Sequence, residues 1–375
     1  FRAVKMSLVD RIESIEAEIN KTQRNKNTEH HIGRLKAKLS TLRRDLIVAS
    51  SKGSKGGGSG FDVAKTGHAR VGMIGFPSVG KSTLLTALTE AKSEVASYEF
   101  TTLTAIPGTF NHKGAKVQLV DLPGIIEGAK DNKGRGRQVI ATARTADLLL
   151  IMLDSTKPVG LKRKVEKELF GFGIRLNQTP PDISYRQIDR GGILLSSPCR
   201  DSLKYLSQET VESVCREMKI NHADICVRDV NCTVDDLIDA IEGNRVYMPA
   251  LYVMNKIDAV TIEELDLFDQ LPNWIPISAH KDWNLDELKD AIWSKLSLCR
   301  VYTKKKGMPI DYEPVILRRR RGPTTVEMFC NDIHRDMMRT FKYAFVWGTS
   351  VRHQPQRVGK DHELEDEDVV TIVGA

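Results

Sequence analysis

The chain has no apolar run near the roughly 18 residues that a spanning helix requires, which excludes a helical membrane segment. No secretory signal is visible, so a soluble protein that avoids membranes is expected. Its six cysteines (Cys199, Cys215, Cys226, Cys232, Cys299 and Cys330) are scattered, with no Cys-x-x-Cys pair. That spacing argues against a zinc site and a disulfide framework, and for reduced thiols in a cytoplasmic protein. Charge excess is missing from most of the chain as well. The net +7 lies within residues 1–60, with 13 Lys and Arg against 6 Asp and Glu, whereas the other 315 residues balance at 43 against 43. A basic arm of this kind suits an anionic partner such as RNA, or is a solvated, solubilising helix face; composition does not choose between them. Phe1 to Lys5, ahead of Met6, read as upstream sequence.

What is present is a set of four short strings in a telling order. Gly75-Phe76-Pro77-Ser78-Val79-Gly80-Lys81-Ser82 follows the apolar run Arg70 to Gly75 and precedes Leu84 to Leu88, which places a glycine loop between a buried strand and a helix. Gly75 and Gly80 let backbone amides, with those of Pro77-flanking Ser78 and Val79, approach phosphate oxygens closely. Lys81 adds positive charge at the β and γ phosphates, the Ser82 hydroxyl suits Mg2+, and Thr83 offers a donor to the α phosphate at the helix start. Asp121, closing the apolar strand Val117 to Val120, would hold Mg2+ through water, and the Gly124 amide of Asp121-Leu122-Pro123-Gly124 would sense the γ phosphate. Tyr98 to Thr104 lies between these strings. A threonine hydroxyl there, Thr102 first and Thr101 close behind, would close on Mg2+ only with the γ phosphate present and loosen on hydrolysis.

The third and fourth strings set the base. The Asp258 carboxylate of Asn255-Lys256-Ile257-Asp258 only accepts hydrogen bonds, and guanine presents N1–H and a 2-amino group where adenine presents no such pair. Adenine would leave a buried charge unpaired. Asn255 is expected to buttress the loop and reach the base edge, Lys256 to lay its stem over the ring, and the Ala279 amide of Ser278-Ala279-His280 to address O6. A glycine turn and an ordinary Asn-Lys pair would account for any one string alone, not for four in order. Ile125, followed by Ile126, stands where a glutamine would orient the attacking water. The water is then held by a backbone group, a monovalent cation or a partner, and slow intrinsic turnover is expected.

The wider organisation is readable from periodicity. Leu8, Ile12, Ile15 and Ile19, then Ile32, Leu35, Leu39, Leu42 and Leu46, recur at helical spacing, predicting an antiparallel helical hairpin over residues 1–50. Residues 51–68 form a Gly/Ser-rich linker that cannot pack. The G domain is expected over 69–170 and 248–298. The stretch 171–247 is too long for a loop and reads as an inserted α+β subdomain, with a hairpin (Ile183 to Ile188, then Ile193 to Ser196), helices at Ser207 to Met218 and Val234 to Ile241, and a strand at Ala223 to Val227. Residues 299–375 read as a small α+β domain with one helix over Thr325 to Arg339. Its basic clusters, Lys304-Lys305-Lys306 and Arg318 to Arg321, either grip phosphates or sit idle on a solvated face; Asp361 to Asp368 holds six acids.

These strings, together with Phe100-Thr101-Thr102-Leu103-Thr104, Asp121 to Ala129, Gly243-Asn244-Arg245-Val246-Tyr247 and Phe341 to Gly348, resemble the developmentally regulated GTP-binding proteins of the Obg-related branch, over essentially residues 6–375. Ser278-Ala279-His280 and Gly359-Lys360-Asp361-His362 incline to the first eukaryotic subfamily. The resemblance implies a P-loop GTPase domain of α/β class, a ribosomal-protein-like insertion, an amino-terminal helical domain and a carboxy-terminal TGS domain of ubiquitin-like shape. It implies slow GTP hydrolysis stimulated by potassium, with GTP, GDP, Mg2+ and K+ as ligands. It also implies association with translating ribosomes and rRNA, and a DFRP-type zinc-finger regulatory partner, with the chain a monomer or in a heterodimer with it. Potassium-using relatives carry asparagine where Ser78 stands, and a serine oxygen can serve the same ion. The competing readings are a GTP-stabilised scaffold with incidental turnover, and RNA or microtubule binding through the basic arm.

Overall fold

A computed structural model describes residues 8–23, 25, 28–51, 67–89, 107–122, 143–198, 203, 205–305, 307–319, 322–334 and 336–374. The linker at 52–66, Thr101, Thr102, Gly124, Ile125 and Ile126 lie outside the described residues. The chain opens with α1 (Leu8–Lys21) and α2 (Glu29–Ser51). Next come β1 (Ala69–Gly75), α3 (Lys81–Leu88), β2 (Pro107–His112), β3 (Ala115–Asp121), β4 (Leu148–Asp154) and α4 (Leu161–Gly171). Shorter elements follow: β5 (Ile174–Leu176), β6 (Ile183–Gln187), β7 (Ile193–Ser196), α5 (Gln208–Glu217), β8 (Ala223–Val227), α6 (Val234–Glu242) and β9 (Val246–Met248). Then β10 (Ala250–Asn255), α7 (Ile262–Asp269), β11 (Trp274–Pro276) and α8 (Leu285–Leu296) lead to β12 (Leu298–Lys304) and β13 (Ile310–Arg318). The chain finishes through α9 (Val326–Ile333), α10 (Met337–Thr340), β14 (Phe341–Trp347), β15 (Gln356–Val358) and β16 (Asp368–Gly374).

Two compact units divide the described residues, one drawn from 8–51 and 163–248, the other from 67–122, 143–162 and 249–374. The second carries a six-stranded sheet in the order β11-β10-β4-β1-β3-β2, parallel throughout except for β2. Every residue of β1, β4 and β10 is buried. Strands covered on both faces read as continuous apolar runs rather than alternating ones, and Leu148 to Leu153 is such a run. Leu84, Leu85 and Leu88 of α3 and Leu285, Leu288, Ile292, Trp293 and Leu296 of α8 fill one core with them. The carboxyl ends of β1, β3, β10 and β11 consequently share one edge, where open parallel sheets bind ligands.

The same unit holds a five-stranded sheet, β13-β12-β16-β14-β15. Val326, Phe329 and Cys330 of α9 pack on Cys299, Val301, Leu317, Ala344 and Val346. The single helix expected over Thr325 to Arg339 is two: His334 leaves helical geometry at φ −162°, ψ 130°, ending α9, and α10 restarts at Met337. The second basic cluster is partly spent internally, because Arg318 pairs with Asp147 at 3.7 Å and Arg319 with Glu365. From the acidic run, Glu365 meets that cluster, whereas Asp366 and Glu367 hold Arg300, outside it, at 2.6 and 2.7 Å.

In the first unit, α1 and α2 run antiparallel, as the Glu16–Arg43 and Glu18–His31 pairs require. Ala37 of α2 joins a core with Val211, Val214, Cys215, Leu237 and Ile238. Polar contacts flank it: Lys36 to Asp235 at 2.6 Å, and Ser40 to Glu242. Two cations of the basic arm, Lys36 and Arg43, are therefore engaged with carboxylates. The expected hairpin of Ile183 to Ile188 and Ile193 to Ser196 does not form. Both strands pair with β8, β6 antiparallel and β7 parallel. Ala223, Ile225 and Val227 of β8 are fully buried, so this strand takes the centre, while Gly191 and Gly192, both at positive φ, turn the chain between the edges.

Candidate nucleotide site

The glycine bend between β1 and α3 is shaped by contacts that leave no room for a side chain. A Cβ at Gly75 would lie 2.7 Å from the Met152 carbonyl, and one at Gly80, whose φ is 93°, would run into Asn255 Nδ2. Ser78 also takes positive φ, 61°, which turns successive amides toward the inside of the bend. Lys81 Nζ donates to the carbonyls of Gly75 and Phe76 at 2.9 and 3.0 Å, so the ammonium is held within the loop rather than swinging in solvent. Ser82 and Thr83 follow in the first turn of α3.

Asn255, buried at the end of β10, joins the two halves of the site. Its Nδ2 donates to the Val79 carbonyl at 2.7 Å and its Oδ1 accepts from the Ala279 amide at 3.0 Å. The amide that sequence reasoning aims at guanine O6 is thus engaged with Asn255 in this structure. Ser278, fully buried, donates its hydroxyl to Asp258 Oδ1 at 2.6 Å. That hydrogen bond, helped by His280 and Lys281, holds the exposed Asp258 carboxyl below its ordinary range. Paired backbone hydrogen bonds between Ser278 and Trp283 close the loop that carries Ala279 and His280.

Lys256 sits at φ 68° and its Nζ meets Asp154 Oδ2 at 2.6 Å. Asp154 also accepts from the Thr156 amide and hydroxyl, at 3.1 and 2.7 Å. Burial pushes this carboxyl up, but the Lys256 and Thr156 hydrogen bonds outweigh it and hold Asp154 below the usual range. Sequence reasoning missed Asp154. The signal was a lone carboxylate terminating the otherwise apolar strand Leu148 to Leu153.

Asp121 ends β3 with Oδ1 buried and no hydrogen-bond donor among the described residues. Burial pushes its carboxyl up, and the Lys81 ammonium pulls the other way. A desolvated acceptor of this kind fits a bound cation. Among the described residues no group of three His, Cys, Asp or Glu side chains could hold a metal ion. A cation here would depend on hydroxyl, carboxylate and phosphate oxygens, the set that suits Mg2+. Of the expected site residues, Gly75, Pro77, Ser78, Val79, Gly80, Asp121, Asn255, Lys256, Asp258, Ser278, Ala279 and His280 fall at strand ends, turns or loops on this edge, and Lys81, Ser82 and Thr83 open α3 beside them.

Residues 70–187 match the family described as 50S ribosome-binding GTPase, 190–298 the C-terminal region of that domain, and 299–374 the TGS domain. The chain is 58% identical to the developmentally-regulated GTP-binding protein 1 homolog of Dictyostelium discoideum, over 98% of this chain and 100% of that one. It is 58% identical to developmentally-regulated GTP-binding protein 1 of Xenopus laevis, over 97% of this chain and 98% of that one. Ribosome-interacting GTPase 1 of Saccharomyces cerevisiae is 54% identical, over 97% and 98%.

Proposed function

Because this chain belongs to the developmentally regulated GTP-binding proteins, a family of P-loop GTPases with a TGS domain, we propose that it hydrolyses GTP in a Mg2+-dependent manner as a ribosome-associated switch in translation. The observation that carries the nucleotide reading is Asn255, a single buried amide that fastens the glycine bend to the base-side loop. In this reading Lys81 and the amides of residues 75–83 hold the phosphates. Asp258 reads the guanine edge, and Lys256, Ser278, Ala279 and His280 frame the base. Ser82, Asp121 and Thr102 hold Mg2+, which when bound offsets the charge of the phosphates. Gly124 reports the γ phosphate, and Lys81 stabilises charge developing during transfer, so catalysis is by positioning and electrostatics. The nucleotide-binding domain occupies 69–170 and 248–298 in this reading, around an insertion at 171–247, with the TGS domain at 299–375.

The ribosomal and cytoplasmic setting draws on the yeast relative's name and on the description of the matching GTPase family. Stimulation by potassium, with Ser78 lending an oxygen, and a DFRP-type zinc-finger partner complete the reading. Single-turnover hydrolysis with and without ribosomes and potassium tests it. Acceleration by either is expected; a rate indifferent to both would favour a GTP-stabilised scaffold. Asp258→Asn should weaken GTP and admit xanthosine nucleotides, and unchanged guanine selectivity would remove the assigned role of Asp258.

A further inference from the structure

The hairpin of β2 and β3 is one continuous ladder, from Pro107 opposite Val120 to His112 opposite Ala115. Lys113 and Gly114 close it as a two-residue turn, both at positive φ, 49° and 78°. Asp121 lies at the other end of β3, about 20 Å along the strand from that turn. Backbone hydrogen bonds along the ladder make the turn and Asp121 two ends of one stiff element. At the Asp121 end, Oδ1 is buried with no hydrogen-bond donor among the described residues. A carboxylate left in that state gains most from a cation arriving beside it.

The turn end is gripped by α8 and by the first strands of the TGS domain. Asp290 of α8 meets His112 Nε2 at 3.0 Å and Lys113 Nζ at 2.7 Å. Trp293, on the same helix, has the Lys113 ammonium 5.9 Å from its ring centre and the Arg300 guanidinium of β12 at 5.5 Å. A Cβ on Gly114 would run into the Pro314 ring of β13. A second line leaves β3 at Gln118, 1% exposed, whose Oε1 accepts from Arg70 Nε at 3.0 Å. The Arg70 amide donates to Asp147 at 2.9 Å, and Asp147 meets Arg318 of β13 at 3.7 Å. The hairpin therefore reaches β13 at both Pro314 and Arg318. Leu298 and Ile316 share one core with Val117 and Leu119, so the TGS domain is joined to the sheet without slack. Close-packed contacts of this kind pass a displacement on rather than absorb it.

We infer that the β2–β3 hairpin is a strut coupling the nucleotide site to the seating of the TGS domain. Binding of Mg2+ and GTP at Asp121 tightens the contacts of β13 with the turn and with Asp147, and those contacts in return strengthen Mg2+-dependent GTP binding. The effect runs both ways because one coupling free energy is shared by the two sites. This coupling rests on the reading of Asp121 as part of a Mg2+ and GTP site.

Hydrogen–deuterium exchange of the full chain with a non-hydrolysable GTP analogue, with and without Mg2+, tests one direction. Mg2+ together with the analogue should slow amide exchange over 310–318 several-fold, and the analogue without Mg2+ should not. GTP affinity with and without Mg2+ tests the other direction. Asp290→Ala, at an exposed side chain, removes the carboxylate that holds His112 and Lys113. It should cut the Mg2+ enhancement of affinity by about fivefold, the lower end of ordinary coupling between sites, and Asp290→Glu should restore it. In an Asp121→Asn background, Asp290→Ala should have no further effect on GTP affinity, an outcome that general loosening of the fold does not produce. Should urea unfolding show that Asp290→Ala folds poorly, Arg318→Gln is measured in the same way. Exchange over 310–318 indifferent to Mg2+ and the analogue, or an unchanged Mg2+ enhancement in the variants, overturns the coupling and leaves the nucleotide reading standing. Absence of GTP binding by the unaltered chain in Mg2+ sinks the nucleotide reading and the coupling with it.

Discussion

Asn255 Nδ2 donates to the carbonyl of Val79 at 2.7 Å, across 176 positions of sequence. The same side chain accepts from Ala279, so its removal strands one carbonyl and one amide at once in a buried place. Each buried group left unpaired costs about 1–3 kcal/mol. Asn255→Ala should therefore lower the thermal midpoint and weaken GTP by at least tenfold, measured by calorimetric unfolding and by titration with a fluorescent GTP analogue. An undiminished GTP affinity would mean that the two loops hold their shapes independently.

Asp121 offers the opposite behaviour. Burial raises its carboxyl pKa, so in the nucleotide-free protein the charged form is disfavoured and this group's contribution to stability grows as pH falls through its folded value. Asp121→Asn should stabilise the nucleotide-free protein near neutral pH, by on the order of 1 kcal/mol, while abolishing the Mg2+ dependence of GTP binding. Unfolding in urea at pH 7 and GTP titration with and without Mg2+ read the two effects.

Asp154 has the reverse sign. Its folded pKa is depressed, so the stability from its contact with Lys256 is present above the ordinary carboxylate value of 3.8 and is lost as pH falls below it. Acid unfolding of Asp154→Asn should show a shallower decline below that point than the unaltered chain. Its GTP affinity should fall several-fold at neutral pH, because Lys256 is no longer held beside the base loop. If affinity is untouched, the Asp154–Lys256 contact is structural only.

In the unit containing α2, Asp239 is held by Arg175 through two hydrogen bonds of 2.6 and 2.7 Å and by Arg245 at 2.9 Å, with the Arg175 and Asp239 side chains both 4% exposed. Removing one member leaves buried charge without its partner, a loss of about 3–5 kcal/mol. Asp239→Ala should be strongly destabilising in urea unfolding. Replacing Arg175 and Asp239 together by apolar residues of similar size should recover much of that loss.

The parts of the molecule that were legible beforehand are those written in local chemistry. Gly75 and Gly80 announce a bend because backbone must pass close to something, and the buried run Leu148 to Leu153 announces a covered parallel strand. The strand at Ala223 to Val227 and the helix beginning at Val234 stand in the structure close to where periodicity puts them. What was not legible depends on partners distant in sequence. Nothing in Ile183 to Ser196 says that β8, thirty residues on, will take the middle of the sheet. The break at His334 is likewise unmarked by glycine or proline, and the helical pattern of Met337 to Arg339 continues the preceding one closely enough to mask it. At the site, the hydrogen bond from the Ala279 amide to the buried oxygen of Asn255 joins residues 24 positions apart, and neither motif states it.

The attachments along α2 reach further than helix packing. Lys36, Ser40 and Ala37 tie the first helices to residues 211–242. Cleavage anywhere in 52–66 would consequently leave the amino-terminal fragment in place: the two pieces would elute together on a sizing column and separate only once denaturant is added.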